Sequence, residues 1–279
     1  MSSPLRFAYN TNGTSNHRFE DALSLIADSG YDGVALTLDH HHFDPFAREL
    51  AKRADALAAR LQQLHLGLVI ETGARFLLNP RHKHEPTLIS PEPEGRAMRI
   101  DFLRRAMQIA AACNAEAVSF WAGVPRPGVP PEAAHEYLRA GVSELVAYNT
   151  DGVTLAFEPE PGMLVEDVAD FLDLQRQIPQ LKLALDTGHC IVSGGLEPAD
   201  AIHQQHAHIA TVSVEDMPRG KHEHLPFGEG DMDTAAVLKA LRDTGYRRLA
   251  CVELSRDSHR AHTMVPQALA YLRDVEKSL

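Results

Sequence analysis

Short apolar runs alternate with longer segments of helical period along the whole chain, and this alternation constrains the fold more than any other feature. The runs are Arg6–Tyr9, Gly33–Thr37, Leu66–Glu71, Ala117–Trp121, Thr154–Glu158, Leu181–Asp186, Ala210–Val214 and Leu249–Glu253. Several, such as LGLVI and LKLAL, are almost continuously apolar. A strand reads this way when a parallel sheet buries both of its faces. Between the runs, residues 19–30, 46–64, 100–112, 131–148, 165–177, 234–245 and 265–275 carry apolar residues at helical spacing. Pro130 and Pro131 stand where helix-starting prolines belong, and Gly30 and Gly245 where helices end.

Eight strands alternating with helices predict an α/β chain folded as a single (β/α)8 TIM barrel, one domain over residues 1–279. A doubly wound open sheet is the competing arrangement. It usually carries a glycine-rich phosphate turn after its first strand, and YNTNGTSN has no GxGxxG. Two stretches, about 72–97 and 215–231, show no period and read as long loops after the third and seventh strands.

The formal net charge of −11 argues against nucleic acid or an anionic membrane as partner. A small molecule is the expected partner, and a homo-oligomer is compatible with the sequence. No apolar run reaches the ~18 residues of a membrane span, and the first residues, MSSPLRFAYN, contain no apolar leader. Three scattered cysteines, Cys113, Cys190 and Cys251, read as free thiols. The expectation is a soluble cytoplasmic protein.

In a barrel of this kind, catalytic groups come from the C-terminal ends of strands and the loops that follow. The fifth run ends in Glu158, the sixth in Asp186 with His189 three residues on, the eighth in Glu253 and the third in Glu71. A carboxylate at the edge of a core is costly unless it is paired or bound to metal. One alone is as often a helix cap or an ion-pair partner. Three that converge repel one another, and a divalent cation relieves the repulsion. Oxygen and imidazole ligands together suit Mn, Zn, Co or Mg.

The chain has sixteen histidines, so their placement matters more than their number. His222 and His224 alternate in the seventh loop and are candidate ligands; otherwise they are solvated. His40, His41 and His42 follow the second strand, with His41 a candidate substrate contact. His82 and His84, in HKH, read as solvent-exposed. His17, His65, His135, His203, His206, His259 and His262 read as surface or supporting residues. Trp121 ends the fourth run, either as a wall for a sugar ring or as a core plug. Glu71 and His189 complete the candidate substrate contacts.

These segments resemble the xylose isomerase-like TIM-barrel superfamily, which includes sugar epimerases, inosose dehydratases, hydroxypyruvate isomerases and endonuclease IV. SGYDGVAL, FEPEPG, LALDTGH, and HLPFGEGDMD followed by YRRLACVEL carry the resemblance. It implies Glu158, Asp186 and Glu253 as metal ligands, with Glu158 and Glu253 also moving protons on either side of a sugar carbon. It places His189 on metal or substrate, and His189, His222 and His224 where endonuclease IV-like members bind a metal. The pattern departs in three places. Ser213 stands where the seventh strand usually carries a ligand histidine, Trp121 where a fourth-strand histidine would be, and Ala35 at an often acidic position.

The leading expectation is a metal-dependent isomerase, epimerase or dehydratase-type lyase. It would act on a small carbohydrate or cyclitol by removing a proton next to a carbonyl. The alternatives are a metal-dependent hydrolase of the endonuclease IV type and a non-catalytic sugar-binding barrel. A loop histidine, His222 or His224, is expected to fold inward in compensation for Ser213.

Overall fold

The computed structural model describes residues 4–279. Its eight strands are β1 (Arg6–Asn10), β2 (Gly33–Thr37), β3 (Gly67–Glu71), β4 (Val118–Phe120), β5 (Leu155–Phe157), β6 (Lys182–Asp186), β7 (Ile209–Val214) and β8 (Leu249–Val252). All neighbours are parallel, and β1 pairs with β8 from Arg6–Leu249 to Tyr9–Val252, so the sheet closes into a (β/α)8 barrel. The apolar runs fall on the strands, but pairing stops short at three ends. Trp121, Glu158 and Glu253 lie just beyond β4, β5 and β8.

Two kinds of side chain alternate along the strands. Ala8, Ala35, Val69, Leu249 and Cys251 form one buried cluster, and Ala117, Ala156, Ala184 and Ala210 another. Both are separate from the large core that holds Phe7, Tyr9, Leu36, Ile70 and Phe157. The period of two sends the small residues to the lumen and the large ones to the helices. Leu249 fills the lumen floor only because Gly33 yields the space; a Cβ there would lie 2.5 Å from Leu249 Cδ1.

The helices are α1 (Phe19–Asp28), α2 (Leu50–Gln63), α3 (Pro93–Cys113), α4 (Pro131–Tyr148), α5 (Val168–Gln177), α6 (Thr187–Ser193), α7 (Pro198–Gln205), α8 (Thr234–Asp243) and α9 (Ala261–Ser278). Two differences from the sequence reading bear on the site. Helix α3 begins at Pro93, so the preceding loop spans 72–92. Its first turns carry Arg96 and Arg99, which interrupt the apolar period although Arg99 is fully buried. The β6–β7 connection holds α6 and α7, each too short to show a period and separated by Gly194 and Gly195. Among the described residues, no helix is long and apolar enough to cross a membrane.

Candidate metal and substrate site

The carboxyl ends of the strands surround a cavity of ≈ 150 Å³. Glu71, Glu158, Glu160, Asp186, Glu215 and Glu253 line it, with His189, His222, His224 and Trp121. The backbone brings them there in three ways.

Strand ends deliver the first set. Thr37 pairs with Glu71, and Glu71 with Ser119, so these residues share one level of the rim. Ser119 Oγ donates to Glu158 Oε2 at 3.0 Å. Asn12 Nδ2 donates to Glu253 Oε1 at 2.7 Å, and Asn10 Nδ2 to Glu253 Oε2 at 3.3 Å. Asn10 is itself fixed by Thr37 Oγ1, which donates to its Oδ1 at 2.7 Å.

A helix start delivers the second set. Asp186 caps α6, its Oδ1 accepting from the His189 backbone N–H at 2.9 Å. The cap fixes where the His189 ring begins, and the Pro159 carbonyl fixes where it points, 3.1 Å from Nδ1. Gly188 between them packs under Met217; a Cβ there would sit 2.9 Å from the methionine side chain.

The third set comes from the β7–α8 loop. Asp216, fully buried, accepts backbone N–H groups from Gly228 (2.8 Å), Gly230 (3.1 Å) and Met232 (3.0 Å). Leu225 N–H adds a bond to the Asp216 carbonyl at 2.9 Å. The loop is thereby folded back, and His222 and His224 face the cavity. The His222 ring lies 5.0 Å from that of His189 and 5.4 Å from that of His224. His224 Nδ1 meets Glu215 Oε2 in a short contact. Ser213 lies level with Asp186 on the barrel wall.

Burial and mutual repulsion set the electrostatics. The carboxyls of Glu71, Glu158 and Glu215 are pushed well above the ordinary glutamate value, first by burial and then by one another and their acidic neighbours. Glu71 and Glu158 keep some surface towards the cavity, but protein encloses them on every other side. Burial alone would raise Asp186 too, but His189 and a hydrogen bond with Glu215 hold it below its ordinary value. Burial works to lower His189, and Asp186 and Glu160 outweigh it, so this imidazole is raised. His222 is lowered to about 4 by burial and by His189.

The residues fit a divalent cation. With the carboxyls ionised, Asp186 Oδ2 and Glu215 Oε1 are buried without a hydrogen-bond donor. Glu158, Asp186 and His189 each offer a ligand atom within 4.8 Å of the others, and so do Glu160, His189 and His222. Glu253 lines the same cavity outside those two groups.

Some residues differ in place from the sequence reading. His41 lies beside the cavity, in a small crevice with Asn12, Thr37 and Arg75. His82 is exposed, but His84 turns inward, its Nδ1 2.7 Å from the Gly73 carbonyl and its ring edge-on to Trp121 at 5.4 Å. Burial lowers it to about 4. Trp121 both lines the cavity and plugs the core, with Arg99 packed on its other face at 4.3 Å. Glu160, Glu215, Arg75 and Lys83 were not anticipated. Glu160 lies three residues and Glu215 one residue beyond a strand end, which is the signal that could have found them.

A closed barrel with an acidic, histidine-bearing cavity at its C-terminal rim defines a class of enzyme-like barrels. Within that class, residues 23–275 match the family described as xylose isomerase-like TIM barrel, and the chain belongs to it. It is 25% identical over 232 residues to the L-ribulose-5-phosphate 3-epimerase UlaE of Shigella flexneri serotype 5b (strain 8401), covering 81% of this chain and 78% of that protein. Among solved structures it is similar to an L-ribulose 3-epimerase (TM-score 0.76, 18% identity, 99% of this chain and 95% of that one). It is also similar to the IOLI protein with a bound zinc atom (TM-score 0.76, 18% identity, 98% and 99%). A third is the 3-keto-D-glucoside 4-epimerase YcjR of E. coli in its apo form (TM-score 0.75, 14% identity, 97% and 100%). These structural likenesses establish the shared fold.

Proposed function

We propose that the chain is a divalent-metal-dependent epimerase of a small ketose, inverting a carbon next to the carbonyl. One observation carries the reading. Glu158 and Glu253 enter the cavity from β5 and β8, separated around the wall by two strands, and each accepts hydrogen bonds from neutral side chains, with the His189 ring a further 3.8 Å from Glu158. Ser119 holds one; Asn10 and Asn12 hold the other. Such donors fix a carboxylate in place without cancelling its charge, so it can still take up a proton. One glutamate removes the proton next to the carbonyl and the other returns a proton to the opposite face.

The metal would be held by Glu158, Asp186, His189 and Glu253, with His222 and His224 on the side where Ser213 offers no imidazole. Bound there, a divalent cation would polarise the ketose carbonyl and offset charge developing on its oxygen. Trp121 and Glu71 face the remaining space, an apolar wall and a hydrogen-bonding group suited to a sugar. The relatives named above as sugar epimerases support the chemistry. The unpaired cysteines fit a reducing compartment such as the cytoplasm.

The test is epimerisation in D2O. The protein, loaded in turn with Mn, Co, Zn or Mg, is incubated with ketopentoses and ketohexoses and followed by NMR. A new epimer carrying deuterium at the inverted carbon, abolished by chelator and restored by metal, is the expected result. Absence of both epimer and deuterium exchange for every ketose, with stoichiometric metal bound, refutes the proposal.

A further inference from the structure

The cavity is lined by six carboxyl groups, yet two cations also face it, Arg75 and Lys83, both from the β3–α3 loop. Neither forms an ion pair among the described residues, although the site beside them is rich in carboxylates. Their loop is built to hold them. His84 N–H donates to the Arg75 carbonyl at 2.5 Å, so the chain doubles back and the two cations come from neighbouring stretches. The His84 ring is pinned by Gly73 and Trp121. Ala74 and His84, next in sequence to the two cations, hold left-handed backbone at φ 58° and 68°, which non-glycine residues rarely adopt. Thr72 anchors the loop's base, its Oγ1 donating 2.7 Å to the Ser119 carbonyl while its own carbonyl accepts from buried Arg99 at 2.8 Å.

A neutral sugar needs no cation, and an anionic one would be repelled by the acidic cavity unless cations met its charged end. We propose that Arg75 and Lys83 form a subsite for a phosphate monoester, so that the substrate is a ketose phosphate. Its carbonyl end lies among the carboxylates and its phosphate at the β3–α3 loop. Two cations match a dianion: the guanidinium of Arg75 can bridge two phosphate oxygens, and the ammonium of Lys83 acts as a point charge. Lys83 is exposed yet also lines the cavity, which places it at the mouth. This assignment rests on the epimerase reading and narrows its substrate.

Binding is measured by calorimetry on the full chain with its metal, using a ketopentose 5-phosphate, the same ketopentose without phosphate, and an analogue with a carboxylate at that end. The phosphorylated sugar should bind at least on the order of tenfold more tightly than the neutral one, as charged hydrogen bonds allow. Lys83→Met and Arg75→Met should each remove on the order of tenfold of that preference, and Lys83→Arg should keep most of it. Equal affinity for phosphorylated and neutral sugars overturns the subsite. So does an equal loss for both in the Met variants, which would mean that the cations merely balance the carboxylates. Tighter binding of the carboxylate analogue overturns the phosphate assignment. In each of these cases neutral ketoses are still epimerised. If no ketose of any kind is turned over, the epimerase reading falls and takes this proposal with it.

Discussion

At the N-terminal ends of the strands, Glu116 has all the partners it needs. Arg6 Nη1 donates to its Oε1 at 2.6 Å, the Leu249 backbone N–H to its Oε2 at 2.9 Å, and Arg248 to its carbonyl at 2.8 Å. At the C-terminal ends, six carboxyls share one cavity, and Asp186 Oδ2 and Glu215 Oε1 have no donor when their carboxyls are ionised. The same barrel thus closes one end with matched charges and leaves the other unbalanced. A fold tolerates such strain only where something else supplies the missing charge, and the matched end supplies the stability that makes this possible.

The largest effect should come from removing the proposed ligands at the unbalanced end. Asp186→Ala combined with Glu253→Ala should abolish stoichiometric metal and take epimerisation below detection, with the circular dichroism spectrum unchanged. Full metal content in that variant would show that the cation lies elsewhere. Next in size is Asn12→Ala, which releases one oxygen of Glu253 without replacing any candidate ligand. Turnover should fall by roughly 10–100-fold, as when groups that orient active-site ligands are lost. An unchanged rate would mean that Glu253 needs no orienting.

The matched end should respond in the opposite way. Glu116→Ala leaves the N–H of fully buried Leu249 without its acceptor, which costs about 1–3 kcal/mol. Urea unfolding should report that loss, while turnover per folded molecule stays at the wild-type value. A variant that lost activity but not stability would erase the distinction between the two ends.

Much of this contrast was legible in the sequence because it is written at strand ends. A carboxylate closing an apolar run is anomalous on its face, and Glu71, Glu158, Asp186 and Glu253 all stood out for that reason. His189 followed from its spacing to Asp186. What stayed hidden depends on loop paths. Nothing local in HKH shows that His84 turns under Trp121 while His82 faces solvent. The inward fold of His222 or His224 was expected, but its cause was not: Asp216 gathers three backbone N–H groups from residues 12–16 positions away, a long-range contact that no period encodes. Helices α6 and α7 were missed because two short amphipathic turns on either side of a Gly-Gly pair show no repeat.

The smallest expected effect is the one that isolates the imbalance itself. Glu71 is held above its ordinary value of about 4.5 by burial, then by Glu253, Asp186 and Glu160. A carboxyl whose folded value is raised binds more protons when folded than when unfolded. Between its unfolded and folded values, stability therefore falls as pH rises. Glutamine mimics the protonated form at every pH. In metal-free protein, Glu71→Gln should match wild type in melting temperature near pH 4.5, then exceed it by a margin that grows with pH and levels off above the folded value. Comparing the two proteins at each pH cancels the histidines, since His42, His84 and His222, each lowered to about 4, contribute equally to both. Saturating divalent cation should shrink or reverse the margin, because the added charge relieves the repulsion that glutamine removes. A margin independent of pH would mean that Glu71 is not destabilised by its neighbours, and that this end of the barrel is balanced in some other way.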